Sequence, residues 1–556
     1  MRVTATFRLL APLLLSACVR PAAQQPYDLL ITGGSVLNGE GTPAVRADVG
    51  IRGGRIAAIG DLQTSTAARR INASGLTVAP GFIDMHNHSD YTILAEPRSE
   101  SMIRQGVTTM VLGESRSAGP VKAGADEARA DGVTVDWTTL GGYFQKLERL
   151  HMSTNIASYV GEEQVWTYVK GYSQSPATSE ELAAMKRLIA QAMEEGAMGL
   201  STALLQPPSS IATAAQLIEL AAVAKQYGGI YSSHIRDEGE GVFRAIDEAI
   251  HIGRGAKIPV DIIHMKIAHK QLWGRANEIT AMVQKARDEG HDIRANVYPY
   301  TAGQNNLSSI VPPWAHDGGR EKMLERLKDP AARKRMREEV MNGLPNWYNH
   351  YLATGDGWGG MILVSLRHDR NRQFQGKRMA ELIAARGGHP ADVLFDVLIE
   401  ENGSVPTVFF HHSEADMQRI MQQPWTSIGS DGSAVNPDGA TGRTHPHPRY
   451  YGTFPRVLGR YVRELKTVTL HDAVAKMTSM NADKIGIKDR GRLKEGVFAD
   501  VTIFDQDRVI DRATFENPHQ FPVGIEYVIV NGQVTIDKGQ HTGALAGRVI
   551  YGPGKR

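Results

Sequence analysis

Five residues of types that can hold a cation stand in or just after short apolar runs of this 556-residue chain. They are His86 and His88 in GFIDMHNH, Glu114 in VTTMVLGES, His234 in GGIYSSH and His264 in PVDIIH. Two residues apart on an extended segment, His86 and His88 point to the same side, so two imidazoles can meet one ion. Glu114 carries two oxygens and could bridge a pair of divalent ions. Taken singly, each has an ordinary explanation: a lone histidine after an apolar run is usually a hydrogen-bonded core residue, and a loop glutamate is usually solvated. Four histidines at the ends of apolar runs point together to a metal site. Asp431, ending TSIGSD among small residues, reads alone as a turn aspartate before Gly432. Beside the histidines it supplies a carboxylate able to take a proton from an attacking water and deliver it to a leaving nitrogen.

These residues need a scaffold that brings strand ends together. Between about residues 81 and 487, short β-rich runs alternate with helical patterns: GFIDMH, GVTTMVLG, NIASYVG, AMGLST, GGIYSSH, PVDIIH, DIRANVY and TSIGSD are eight candidate strands. That alternation predicts an α/β fold, a (β/α)8 TIM-like barrel, and every candidate ligand lies at or just past the C-terminal end of a strand. SEELAAMKRLIAQAMEEG and AAQLIELAAVAKQYGG read as helices stopping at Gly196 and at Gly228-Gly229. Residues 301–425 are too long for one crossover and predict an inserted subdomain before the last strand. It holds a charged helical stretch near residues 320–341 and two apolar runs, MILVSL and TVFFHH, either of which could instead be the seventh strand. Glycine-punctuated strand signals over residues 27–80 return over 488–550, so both chain ends are expected to share one small β-domain.

Sixty-two basic residues against sixty acidic ones leave a formal charge of +2. No electrostatic footprint for nucleic acid follows, and the expected substrate is a small molecule. Residues 1–25 read as an export signal: Arg2 and Arg8 precede the apolar run Leu9 to Leu15, too short to span a bilayer. Cys18, the only cysteine, sits in Leu15-Ser16-Ala17-Cys18, which looks like a lipobox whose cysteine is lipidated; the other reading is an ordinary signal cut near Ala23. The body then lacks disulfides and thiolate ligands. A periplasmic enzyme or a membrane-anchored lipoprotein of a bacterium is expected, touching the membrane only through Cys18.

The segments PGFIDMHNH, GVTTMVLGE, YSSHIRDEG, IIHMK, NVYPYTAG and SIGSDG with HPRYYGTFPRVL resemble the N-acyl-D-amino-acid deacylase (D-aminoacylase) branch of the amidohydrolase superfamily. The resemblance runs nearly the whole length after the leader. It implies a zinc-dependent hydrolase of linear amides holding one or two ions. His86, His88, His234 and His264 would be ligands, and Asp431 the catalytic acid/base that also approaches the metal. It also implies that Lys266 and Tyr298 hold the substrate α-carboxylate, with Arg449 assisting. The chain departs from the family at the second strand, where members carry a cysteine ligand in a segment like GNCG and this sequence reads GESR, leaving Glu114 as the substitute. A carboxylate is a harder ligand than a thiolate. The fourth strand, AMGLSTALLQPP, has no lysine for the carboxylated bridge of related barrels, and Gln206 stands where an aromatic often precedes the prolines. Rival readings are a dipeptidase or cyclic-amide hydrolase of the same fold, and a binding protein without turnover.

Overall fold

A computed structural model of the chain describes Met1 and residues 26–122 and 133–556. Residues 2–25 of the expected leader, with Cys18, lie outside the described residues.

The first strands form a meander with one buried side. β1 (Tyr27–Val36) pairs antiparallel with β2 (Val45–Arg52), which turns into β3 (Arg55–Gly60); β4 (Ala67–Asn72) and β5 (Thr77–Pro80) run parallel to β1. The β2–β3 turn is Gly53-Gly54 with φ of 58° and 75°, a left-handed pair that glycine adopts without a steric penalty. Leu29, Ile31, Val49 and Ile51 are buried together on this sheet.

A second series is parallel throughout. β6 (Phe82–Asp84), β7 (Val107–Leu112) and β8 (Asn155–Ser158) make a three-stranded sheet. β9 (Val160–Gly161), β10 (Gly199–Ala203), β11 (Ile230–His234), β12 (Val260–Ile262) and β13 (Ile293–Val297) follow in chain order in a six-stranded one. Only Tyr159 separates β8 from β9. These strands are buried on both faces, as parallel strands covered by helices are. The covering helices start and stop where their sequence says they should. Ser179–Glu195 and Ala214–Gln226 open with reciprocal capping boxes, Thr178 with Glu181 and Thr213 with Gln216, and the first ends at Gly196, φ 113°.

The chain then leaves the series for β14 (Gly303–Asn306), β15 (Met361–Leu363) and β16 (Pro406–Phe409) before returning as β17 (Thr426–Ile428), which pairs parallel with β13. The two runs considered for the seventh strand are β15 and β16. They pair antiparallel with each other in a separate sheet with β14, and β13 keeps the seventh place. This excursion has its own core, from Leu307 to Phe409, and its charged stretch is two helices, Arg320–Lys328 and Pro330–Asn342.

β18 (Val501–Phe504), β19 (Ile525–Val530), β20 (Gln533–Asp537) and β21 (Gln540–His541) complete the first sheet. β18 lies antiparallel to β5 with Val501 opposite Pro80, so segments from both ends of the chain share nine strands. Among the described residues no helix is long and apolar enough to cross a membrane.

Candidate metal centre and active-site cavity

The first and last parallel strands are wired to each other. The buried Asp84 carboxylate accepts from Asn87 Nδ2 at 2.8 Å, from Ser430 N at 2.7 Å and from Ser430 Oγ. Asn87 bridges Gly432, and Asp431 N donates to His86 O at 2.8 Å. His86 and Asp431, 345 positions apart in sequence, are thus fixed by their own backbones. Asp431 has φ 52° and His264 φ 35°, a left-handed region that non-glycine residues enter only when the surroundings force it, and that concentrates at functional sites.

Glu114 is aimed by the turn after β7. Gly113 has φ 90°, and a β-carbon there would lie 2.5 Å from Ser158 Oγ and from Tyr159 O, so only glycine fits. Ser115 N donates to Ser201 Oγ at 3.0 Å, tying the turn to β10. The carboxylate divides itself: Oε2 lies 2.6 Å from His86 Nε2 and 3.1 Å from His88 Nε2, while Oε1 lies 3.0 Å from His234 Nδ1. Asp431 Oδ1 is 3.0 Å from His88 Nε2, and Oδ2 is 2.8 Å from Arg449 Nη1 and 3.9 Å from His264 Nε2. The imidazole centroids are 4.8 Å apart for His86 and His88, 5.1 Å for His86 and His264, and 4.4 Å for His234 and His264.

All six expected metal-facing residues therefore meet in one place. Donor atoms of His86, Glu114, His264 and Asp431 lie within 4.8 Å of one another, and so do those of His234, Glu238 and His264. That spacing suits imidazole and carboxylate donors around one divalent ion, with bonds of about 2.0–2.2 Å. His234 Nε2 is buried with no hydrogen-bond partner among the described residues, as a donor atom reserved for a cation would be. The donor set holds nitrogen and carboxylate oxygen and no sulfur, which zinc accepts.

Electrostatics favours ionised carboxylates here. Burial alone would raise Glu114, but His86, His234 and His88 outweigh it and hold the carboxyl well below its usual range. Burial likewise opposes ionisation of Asp431; the charges of Arg449 and His86 and a hydrogen bond from His88 prevail and lower it. Burial pushes His264 down to about 4, helped by the Lys266 charge. His88 alone in the cluster opens to solvent, with 40% of its side chain exposed.

The expected substrate contacts are placed nearby. Lys266 and Tyr298 line a small cavity together with His234, His264 and Asp431. Lys266 Nζ is already engaged by Glu238, His264 Nδ1 at 2.7 Å and His264 O at 3.0 Å. Arg449, 2% exposed, stacks on the Tyr298 ring at 4.8 Å and pairs with Asp431 rather than standing on the cavity wall. Sequence reasoning missed Glu238, Asp84 and the neighbouring His350, His411 and His412. Glu238 had a signal, since it stands four residues after His234 in HIRDEG; Asp84 had only its place two residues before His86.

Residues 69–536 match the amidohydrolase family, and the chain belongs to it. It is 36% identical over 531 residues to a D-aminoacylase of Alcaligenes xylosoxydans xylosoxydans, covering 95% of this chain and 98% of that protein. Among solved structures it is similar to an N-acyl-D-glutamate deacylase from Bordetella bronchiseptica complexed with zinc and a phosphonate mimic of the tetrahedral intermediate, at 32% identity and TM-score 0.80 over 95% of this chain and all of the other. A D-aminoacylase whose binuclear metal centre was studied matches at 33% identity and TM-score 0.80, with the same coverage.

Proposed function

We propose that the protein is a zinc-dependent amide hydrolase that cleaves N-acyl-D-amino acids into a carboxylate and a D-amino acid. The observation that carries the reading is the clustering of four imidazoles, Glu114 and Asp431, of which His234, His264 and Asp431 line a cavity that Lys266 and Tyr298 also line. Similarity to deacylases, one with zinc and an intermediate mimic, supports it.

His86, His88, His234 and His264 would hold one or two ions, with Asp431 approaching and Glu114 between them in place of the family's cysteine. Zinc there supplies Lewis acidity, polarising the scissile carbonyl and making the attacking water more acidic. Asp431, kept ionised by Arg449, takes the proton of that water as the new carbon–oxygen bond forms. It returns the proton to the amide nitrogen as the carbon–nitrogen bond breaks. Lys266 and Tyr298 orient the α-carboxylate; for Lys266 this means sharing its ammonium between substrate and Glu238.

The parallel strands from β6 to β17 are read as a (β/α)8 barrel over residues 81–487 with an insertion at 301–425. Residues 27–80 and 488–550 are read as its small β-domain. The chain order of the strands and the Asn87–Gly432 bridge support closure. Export with lipidation at Cys18 is proposed from the leader sequence, and is tested by palmitate labelling of wild type against Cys18→Ala.

The decisive assay sets zinc-loaded protein against N-acetyl-D-amino acids, their L enantiomers, dipeptides and cyclic amides. Hydrolysis of the D series is expected. Turnover confined to dipeptides or cyclic amides would move the protein to that rival activity, and metal binding with no turnover would make it a binding protein.

A further inference from the structure

Beyond the end of their shared ladder, β12 and β13 are joined by a side chain. The ladder ends with Ile262 opposite Ala295, and there Asn296 takes over. Its Oδ1 accepts from His264 N at 2.9 Å, and its backbone carbonyl accepts from Met265 N, also at 2.9 Å. Two successive N–H groups leaving β12 are thus held by one residue, and the first belongs to His264, whose φ is 35°. A histidine keeps a left-handed backbone only where its surroundings over-determine it. Gly429 leaves the amide its place: a β-carbon there would lie 3.2 Å from Asn296 Oδ1 and 3.0 Å from His86 Cβ.

The other end of that amide is fixed as well. Asn296 Nδ2 donates to Asp261 Oδ2 at 2.8 Å. The second oxygen of Asp261 accepts from Lys484 Nζ, and the same ammonium donates to Ala295 O at 2.7 Å. Asp261, Asn296 and Lys484, the last residue of the helix Ser479–Lys484, are all buried. A buried ion pair is weak evidence for stability, because desolvation of both charges offsets their attraction. What this pair does fix is direction. A carboxylate only accepts and a peptide N–H only donates. Turned over, the Asn296 amide would set oxygen against Asp261 and N–H against N–H at His264, leaving buried groups unsatisfied. The row from Lys484 through Asp261 and Asn296 to His264 N therefore has a single polarity.

We propose that Asn296, locked by the Asp261–Lys484 pair, is a positioning residue for the metal site: it holds the His264 peptide in its left-handed turn and so directs the imidazole toward His86 and Asp431. The inference rests on the reading of His264 as a ligand. Asp261, Asn296 and Lys484 stand outside the cavity lining, so they act through His264 and not on a substrate. Partners that orient a ligand from behind set metal affinity by about 10–100-fold.

The test is chelator competition for zinc on the full chain, with the melting temperature of the metal-free protein measured beside it. Asn296→Leu, which offers His264 N no acceptor, is expected to weaken zinc by about 10–100-fold, and Asn296→Ala by about tenfold or more. Combining Asn296→Asp with Asp261→Asn reverses donor and acceptor between the two positions at unchanged total charge and still presents an acceptor to His264 N. That reversed pair is expected to hold zinc within about threefold of wild type. A merely structural role would lower the melting temperature of these variants and leave the zinc affinity of the folded protein as it was. Should Asn296→Leu fail to fold, Asn296→Ala and the reversed pair decide. Wild-type affinity in Asn296→Ala, or a loss in the reversed pair as large as in the single variants, overturns the positioning role and leaves the zinc site standing. A wild-type chain that takes up no zinc overturns both.

Discussion

Two groups of histidines near the candidate site differ in what faces them. His86, His88, His234 and His264 stand at or just past the ends of parallel strands, with Glu114, Asp431 or Glu238 within 4 Å of each. His350, His411 and His412 stand on the insertion, and among the described residues none has a carboxylate partner in an ion pair. The same side chain is therefore a candidate ligand in one group and a neutral imidazole in the other. The carboxylates decide which.

The sharpest way to break this contrast is to neutralise a carboxylate without changing its shape. Asp431→Asn is expected to keep bound zinc and to lose about 10³-fold or more in kcat, since it removes the proton carrier; zinc content and turnover in one preparation check this. Near-normal turnover in that variant would sink the role given to Asp431. Removing Glu114 acts on affinity instead. Glu114→Ala is expected to weaken zinc by more than the roughly 10–100-fold that loss of an outer-shell partner of a ligand brings, and chelator competition reads it. His350→Gln and His411→Gln are expected to leave the zinc-to-protein ratio as it is in wild type. A fall in that ratio would place the insertion histidines among the ligands.

The smallest effect concerns pH. His350 is held down to about 3 from an ordinary 6.5, so between those values the unfolded chain binds a proton that the folded chain does not. Stability is then unaffected above pH 6.5 and falls as pH drops below it, by up to about 1.4 kcal/mol per pH unit for one such group. Denaturant titrations at pH 7.0 and 5.0 are expected to differ less for His350→Gln than for wild type. Equal differences would mean that His350 is not held neutral.

Much of the strand-end cluster was legible in the sequence because two constraints coincide there. A parallel strand buried on both faces is a short apolar run, and the residue ending it is visible against that run: His234 after GGIYSS, His264 after PVDII, Asp431 after TSIGS. The insertion lacked such a marker. MILVSL and TVFFHH are apolar enough for any buried strand, and periodicity does not name the partner; here they pair with each other and leave β13 its place. His411 and His412 were hidden at the end of that run. Glu238 was hidden for the opposite reason: among Arg236, Asp237 and Glu240 it reads as one more solvated charge, whereas it lies 4% exposed against Lys266. The division of Glu114 between His86 and His234 is a matter of two oxygen positions, which no linear pattern encodes.

The clasp between Asp84 and Ser430 spans 346 residues. During synthesis the amino-terminal half of the donor set leaves the ribosome long before the carboxy-terminal half exists, and contacts of such separation form late. Ion capture by the full set is therefore expected to follow folding rather than to nucleate it. Chains truncated before residue 431 should elute metal-poor however well their early strands have packed.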